Sequence, residues 1–150
     1  MKSVLLKSAL SLCLGAAALA APAIAGGLVA APKPDLYFSG IWLQAWGTTA
    51  VLTAIPQGKR YRVCFKVRNA GIVASGAYRV AGGGLGVPAS PFADFPGVPA
   101  GGTRSGCIAY ATTPSPGAYR LAVEVDAGHA VEELREDNNA AILPVTILPR

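Results

Sequence analysis

Few side chains in this sequence are of a type that makes or breaks bonds. His129 is its one histidine and stands beside Gly128. With no partner to tune it, it is read as an exposed turn residue. No second histidine completes a metal site, and no Gly-x-Ser-x-Gly elbow announces a hydrolase. A Ser-His-Asp set can be assembled only by free choice of residues. The denser feature is acidic: Asp126, Glu132, Glu133, Glu136 and Asp137, followed by Asn138-Asn139. Calcium takes about six to eight oxygens from carboxylates and loop carbonyls, but the spacing and central glycine of an EF-hand loop are missing. The favoured reading is structural. Asn138 and Asn139 lock the loop through side-chain to backbone hydrogen bonds, while the acids stay solvated or pair with nearby arginines. No catalytic residue, metal site or cofactor is expected.

Binding chemistry has better candidates. Trp42, Gln44 and Trp46 share one strand parity, with Leu36 and Phe38 assigned to the same side. Two indoles and an amide along one edge suit stacking on sugar rings or gripping a partner; the competing reading has one or both finishing the core. Lys59, Arg60, Arg62, Lys66 and Arg68 form a basic face. It is mostly a solvated sheet face, open to an anionic polymer or to the acidic face of Glu124 and Asp126.

These residues need strands to position them. Period-2 alternation dominates, and no segment reads as a long amphipathic helix. Tyr61, Val63, Phe65 and Val67 alternate with Arg62, Cys64, Lys66 and Arg68, the pattern of a half-buried antiparallel strand. Tyr119, Leu121, Val123 and Val125 alternate with Arg120, Ala122, Glu124 and Asp126, which are expected to point out. Weaker strands are expected over residues 35–43, 48–54, 77–81, 104–111 and 140–148. Pro144 cannot donate to a ladder, so the last strand has a bulge there or lies at an edge. Residues 82–102 are rich in Gly and Pro yet carry Phe92 and Phe95, which suggests a loop packed on the domain with at most one short strand. About seven short strands with turns between them predict an all-β, antiparallel sandwich. Tyr119, at a strand start on inward parity, is placed for a tyrosine corner.

The ends bound the compartment. Lys2 and Lys7, an uncharged apolar run from Leu10 to Ala21, and Ala23-Ile24-Ala25 read as a signal peptide over residues 1–25, cleaved before Gly26. Leu12 is too bulky for a lipobox and Cys13 lies inside the apolar run, so no lipid anchor is expected. No later segment is long and apolar enough to span a membrane. Cleavage takes the formal net charge from +5 to +3, little reason to invoke nucleic acid. Residues 26–33 read as a flexible leader and residues 34–150 as one domain; its roughly 125-residue mature chain suffices for a real core.

Several short motifs fall in a recognisable order: Pro34-Asp35-Leu36, Asn69 with Gly71, Gly101-Gly102, Gly117-Ala118-Tyr119, Val125-Asp126, and Glu133, Glu136, Asn138, Asn139. In that order and spacing the chain resembles the CARDB family, the cell-adhesion-related domain found in bacteria. The glycine-rich residues 82–86 depart from the family's plainer strand. The resemblance implies an immunoglobulin-like fold, a secreted or periplasmic location, a role in adhesion or binding, and no enzymatic activity. Asn69, Gly71, Tyr119, Asp126, Glu133, Glu136, Asn138 and Asn139 are then structural motif residues. The expected partner is a protein or polysaccharide at the cell envelope. The alternative is an accessory or structural subunit of a larger secreted enzyme or surface assembly, docked through an edge strand.

Cys64 and Cys107 are the cysteines left after cleavage. Both lie on outward parity, in strands that are antiparallel neighbours in an immunoglobulin-like sheet, and an exported chain meets an oxidising compartment. A cross-strand disulfide is expected, against the alternative of two thiols on a slipped register.

Overall fold

The computed structural model describes residues 30–84, 90–111 and 113–150, and residues 31–150 form one compact unit. The expected signal peptide and the first part of the leader lie outside the described residues.

Alternating apolar residues build two facing sheets. One has the order β2-β1-β4-β7: β1 (Leu36–Ala45), β2 (Val51–Leu52), β4 (Tyr61–Asn69) and β7 (Thr103–Tyr110). The other has the order β3-β9-β8-β5-β6: β3 (Ile55–Pro56), β5 (Tyr78–Gly83), β6 (Phe92–Phe95), β8 (Gly117–Val125) and β9 (Ala140–Leu148). No described residue is helical. The expected all-β sandwich is present, and among the described residues it has nine strands, two of them only two residues long. Of the strand expected over 48–54 only Val51–Leu52 forms, as β2, and a second short piece, β3, follows just beyond it. One stays with β1 and the other crosses to the opposite sheet, pairing parallel to β9 in an otherwise antiparallel set.

The core is the inward face of both sheets. Tyr61, Val63, Phe65 and Val67 from β4 meet Leu121, Val123 and Val125 from β8, all essentially inaccessible to solvent. Tyr61 and Tyr110 stack with ring centroids 4.9 Å apart. Phe95 lies edge-on to Phe65 at 5.3 Å and so closes the core from β6. Phe92, from the same Gly/Pro-rich stretch, stays outside, 58% exposed beneath the Arg79 guanidinium. Of the two aromatics expected to hold that stretch down, one does so. Pro144 sits opposite Arg120 in an unbroken register, while β3 covers only Ile147 and Leu148. The proline therefore stands where β9 is a free edge and no bulge is needed. The Tyr119 hydroxyl donates to the Ser115 carbonyl at 2.8 Å, closing the tyrosine corner.

β1 contains one register break. Phe38 pairs with Val67 and Gly40 with Lys66, so Ser39 is an extra residue. A bulge of this kind flips the side-chain alternation. Leu36 and Phe38 face the core, and beyond the bulge Ile41 and Leu43 do so. Trp42 and Gln44 face outward. The shared side assigned to Leu36, Phe38 and the tryptophans is thus corrected: the two groups lie on opposite faces of β1.

Cys64 and Cys107 are directly paired across β4 and β7, with sulfurs 2.12 Å apart and Cα atoms 4.0 Å apart. They sit on the outer face, yet Cys64 is only 1% exposed, because Trp42 is its partner on β1 and the Gln44 side chain lies against its sulfur. A bridge closing a loop of this length stabilises by at most about 4 kcal/mol. Thiol titration of purified exported protein under non-reducing, denaturing conditions should find no free thiol. Two reactive thiols there would contradict the bridge.

Candidate functional site

Apart from Tyr119, which stands at the start of β8, the motif residues converge at one end of the sandwich, where β1 begins, β4 ends and β8 passes into β9. Asn69, at the end of β4, is fully buried and serves four backbone groups. Its carbonyl accepts from the Asp35 and Gly71 amides at 3.0 and 2.9 Å. Its amide donates to the carbonyls of Val73 and Val98 at 2.8 and 3.1 Å. Gly71 is required by close approach: a Cβ there would clash with the Lys33 carbonyl oxygen and lie 2.5 Å from Pro34 Cα.

Asp126 does not point out. It takes a left-handed conformation, φ 51°, at the end of β8, a region that Asp tolerates better than most residues. This turns its carboxylate inward, where it accepts from the amides of Ala130 at 3.1 Å and Val131 at 2.9 Å. Glu133, 5% exposed, accepts from the Leu36 amide and from the Asn139 side chain. Glu136 accepts from the Glu133 amide at 3.1 Å. Asn138 donates to the Asp35 carboxylate at 2.8 Å. The expectation that the acids stay solvated is therefore corrected for Asp126 and Glu133. The asparagines bond to carboxylates rather than to backbone. Buried N–H groups recruited these side chains because an unpaired buried amide is costly. Glu132 and Asp137 remain outside, paired with Lys33 and Arg135. Lys33, at the end of the proposed leader, is thus tied to the domain. His129 is exposed, also at positive φ.

Among the described residues, no three His, Cys, Asp or Glu side chains are grouped as a metal would need. The inward oxygens of Asp126 and Glu133 are already used by N–H donors.

The surface candidates lie elsewhere. Trp42 and Gln44 continue outward parity into Trp46, just past β1, opposite an outward row on and beside β4: Cys64, Arg62 and Arg60. Gln44 accepts from Arg62 at 2.6 Å, and that guanidinium also donates to the Thr48 carbonyl at 2.7 Å. Arg60 lies 3.9 Å from the Trp46 ring centre, and Trp46 is 41% exposed. The structure brings Trp42, Gln44 and Trp46 onto one outer face. Glu124 belongs to β8 of the other sheet and Asp126 is buried, so the two do not form an acidic face for the basic strand. Sequence reasoning gave no role to Val73 or Val98, whose carbonyls accept from the Asn69 amide through tertiary approach rather than any local pattern.

The CARDB family model matches residues 33–142, and the chain belongs to this family. The CARDB domain of a Pyrococcus furiosus protein, solved in complex with di-metal ions, is similar at TM-score 0.58 and 19% identity. The match covers 79% of this chain and 97% of that one. A domain of a Methanosarcina acetivorans protein, provisionally described as a cell-surface protein, is similar at TM-score 0.55 and 20% identity, covering 77% and 93%. At these identities the likeness is one of fold. No curated protein matches the chain.

Burial pushes the Glu133 carboxyl up from near 4.5 to about 7. Hydrogen bonds from Leu36 and Asn139 pull it down, while the charges of Glu136 and Asp126 push it up again. The folded chain then holds a proton that the unfolded chain has released, and this happens between the two values. Stability from this group is fully present below about pH 4.5 and is lost as pH rises through about 7. Glu133→Gln keeps an acceptor for the Leu36 amide and removes the titration. Urea unfolding from pH 5 to 8 should show wild type losing up to about 3 kcal/mol relative to the variant. Parallel curves would show that Glu133 titrates normally.

Proposed function

We propose that the chain is an exported, non-catalytic binding module of the cell envelope. On this reading it holds a protein or polysaccharide on the outer face of the β2-β1-β4-β7 sheet. The observation that carries it is the row Trp42, Gln44, Trp46 on one outer face, with Trp46 left 41% exposed beside Arg60. Family membership supports an adhesion-type role. Export is supported by Lys2, Lys7, the apolar run and Ala23-Ile24-Ala25, and by a disulfide that suits an oxidising compartment. N-terminal sequencing of exported protein should begin at Gly26; a mature chain retaining Met1 would contradict export.

A second reading is a subunit docked by strand addition, favoured by the free edge of β9, where Ile142 is 56% exposed. Pro144 interrupts that edge, a common way of blunting one, so the face reading stands first.

Capture from envelope extract and a glycan array test the face. Trp42→Ala with Trp46→Ala should lose the captured partner or glycan while the thermal transition stays cooperative. Retained binding by the folded double variant would exclude this face. Failure of the variant to fold would assign the indoles to structure.

A further inference from the structure

The acidic residues of this domain gather toward one end, while the basic residues are spread over both. No Asp or Glu occurs between Asp35 and Asp94, between Asp94 and Glu124, or after Asp137. The strand registers gather those acids toward the end where β1 begins and β8 finishes. All three ion pairs among the described residues, Lys33–Glu132, Arg79–Asp94 and Arg135–Asp137, belong to that half. The opposite end, where β1 finishes and β4 begins, carries Lys59, Arg60 and Arg62, and the last residue, Arg150, lies beside them.

At that basic end an open groove of about 500 Å³ runs between Trp46, Leu52, Ile55, Pro56, Lys59 and Arg60. A neighbouring hollow continues past Pro56 and Lys59 to Arg150, whose guanidinium is anchored on the Gln57 carbonyl at 3.2 Å. Lys59, Arg60 and Arg150 are all exposed, and no described carboxylate pairs with them. The lining combines aromatic and aliphatic surface with cations that no described side-chain carboxylate pairs, Arg60 lying directly on Trp46.

We propose that this groove binds an acidic sugar, a pyranose chain bearing carboxylates. The apolar C–H face of the ring lies on Pro56 and on the part of Trp46 that the Arg60 guanidinium leaves uncovered, and the carboxylates bond to Arg60, Lys59 and Arg150. Indole and aliphatic surface suits the flat face of a pyranose. Guanidinium groups take carboxylate oxygens in charge-assisted, often bidentate bonds. A neutral sugar would leave the three cations unused, and a small inorganic anion would leave the apolar wall unused. The inference rests on the proposed binding role and names the ligand for the Trp46 end of that face.

Calorimetric titration of the mature chain with hexagalacturonate, and with maltohexaose as the neutral control, tests it. Binding of hexagalacturonate alone is expected, weakened by added salt. Lys59→Gln with Arg150→Gln, which leaves every aromatic in place, should weaken it about tenfold or more. Trp46→Ala should also weaken it, and if that variant does not fold the cation pair decides. No binding of hexagalacturonate, equal binding of maltohexaose, or unchanged affinity in the cation double variant would overturn the proposal. Binding of polyphosphate in place of hexagalacturonate would overturn it as well. A neutral glycan or protein partner lost with Trp42→Ala and Trp46→Ala would keep the binding module while removing this ligand. Retention of every partner by that folded variant would remove the binding face itself.

Discussion

A buried peptide N–H must find an acceptor, and where β1 enters the sandwich no strand supplies enough of them. Side chains do. The Leu36 amide is received by Glu133, 97 residues further along the chain, and the Asp35 amide by Asn69 at the end of β4. Backbone bonds run beside them: Ala70 to the Asp35 carbonyl at 2.7 Å and Leu134 to the Pro34 carbonyl at 2.8 Å. Three chain segments remote in sequence are thus held by one network. With one partner removed, the others are left buried and unpaired, so the network acts as a unit.

That network fixes where the binding candidates can be. It occupies the acidic end and consumes the inward oxygens of Asp126 and Glu133, which leaves those carboxylates as structural parts rather than ligands. β1 carries the constraint to the other end. It starts in the network, passes the bulge at Ser39 and arrives with Trp42 and Gln44 outward over the cystine and Trp46 against Arg60. Without the bulge, the register set by Leu36 and Phe38 would bring Trp42 opposite Val63 and turn the indoles inward. Position at the Trp46 end therefore depends on anchoring at the closed end.

What could be read beforehand was whatever rests on local pattern. The alternation from Tyr61 to Arg68 is local, and β4 lies where it indicates. Two cysteines on outward parity in neighbouring strands suffice to suggest the pair that the structure places at bonding distance. Gly40 is the one local mark of the bulge, since glycine inside a strand often stands at such a break, but it does not say which way the parity turns, so the two faces of β1 could not be assigned from alternation alone. Asp126 ends an alternating run and its type suggests solvent; only the left-handed turn it adopts sends it inward. Glu133 looks like one acid among five, and its burial comes from the approach of Leu36, a contact no spacing rule encodes. The switch from β2 in one sheet to β3 in the other is likewise tertiary, since neither short piece has a strong pattern of its own.

Native-state hydrogen exchange of the amides that donate to buried side chains, Leu36 to Glu133 and Val131 to Asp126, tests the central claim most directly. If the network closes the sandwich, both amides exchange only through global unfolding, with protection equal to that of core amides in β4 such as Val63. Exchange of Leu36 and Val131 by a low-energy local opening, while Val63 stays protected, would show that this end is an ornament on a fold held elsewhere.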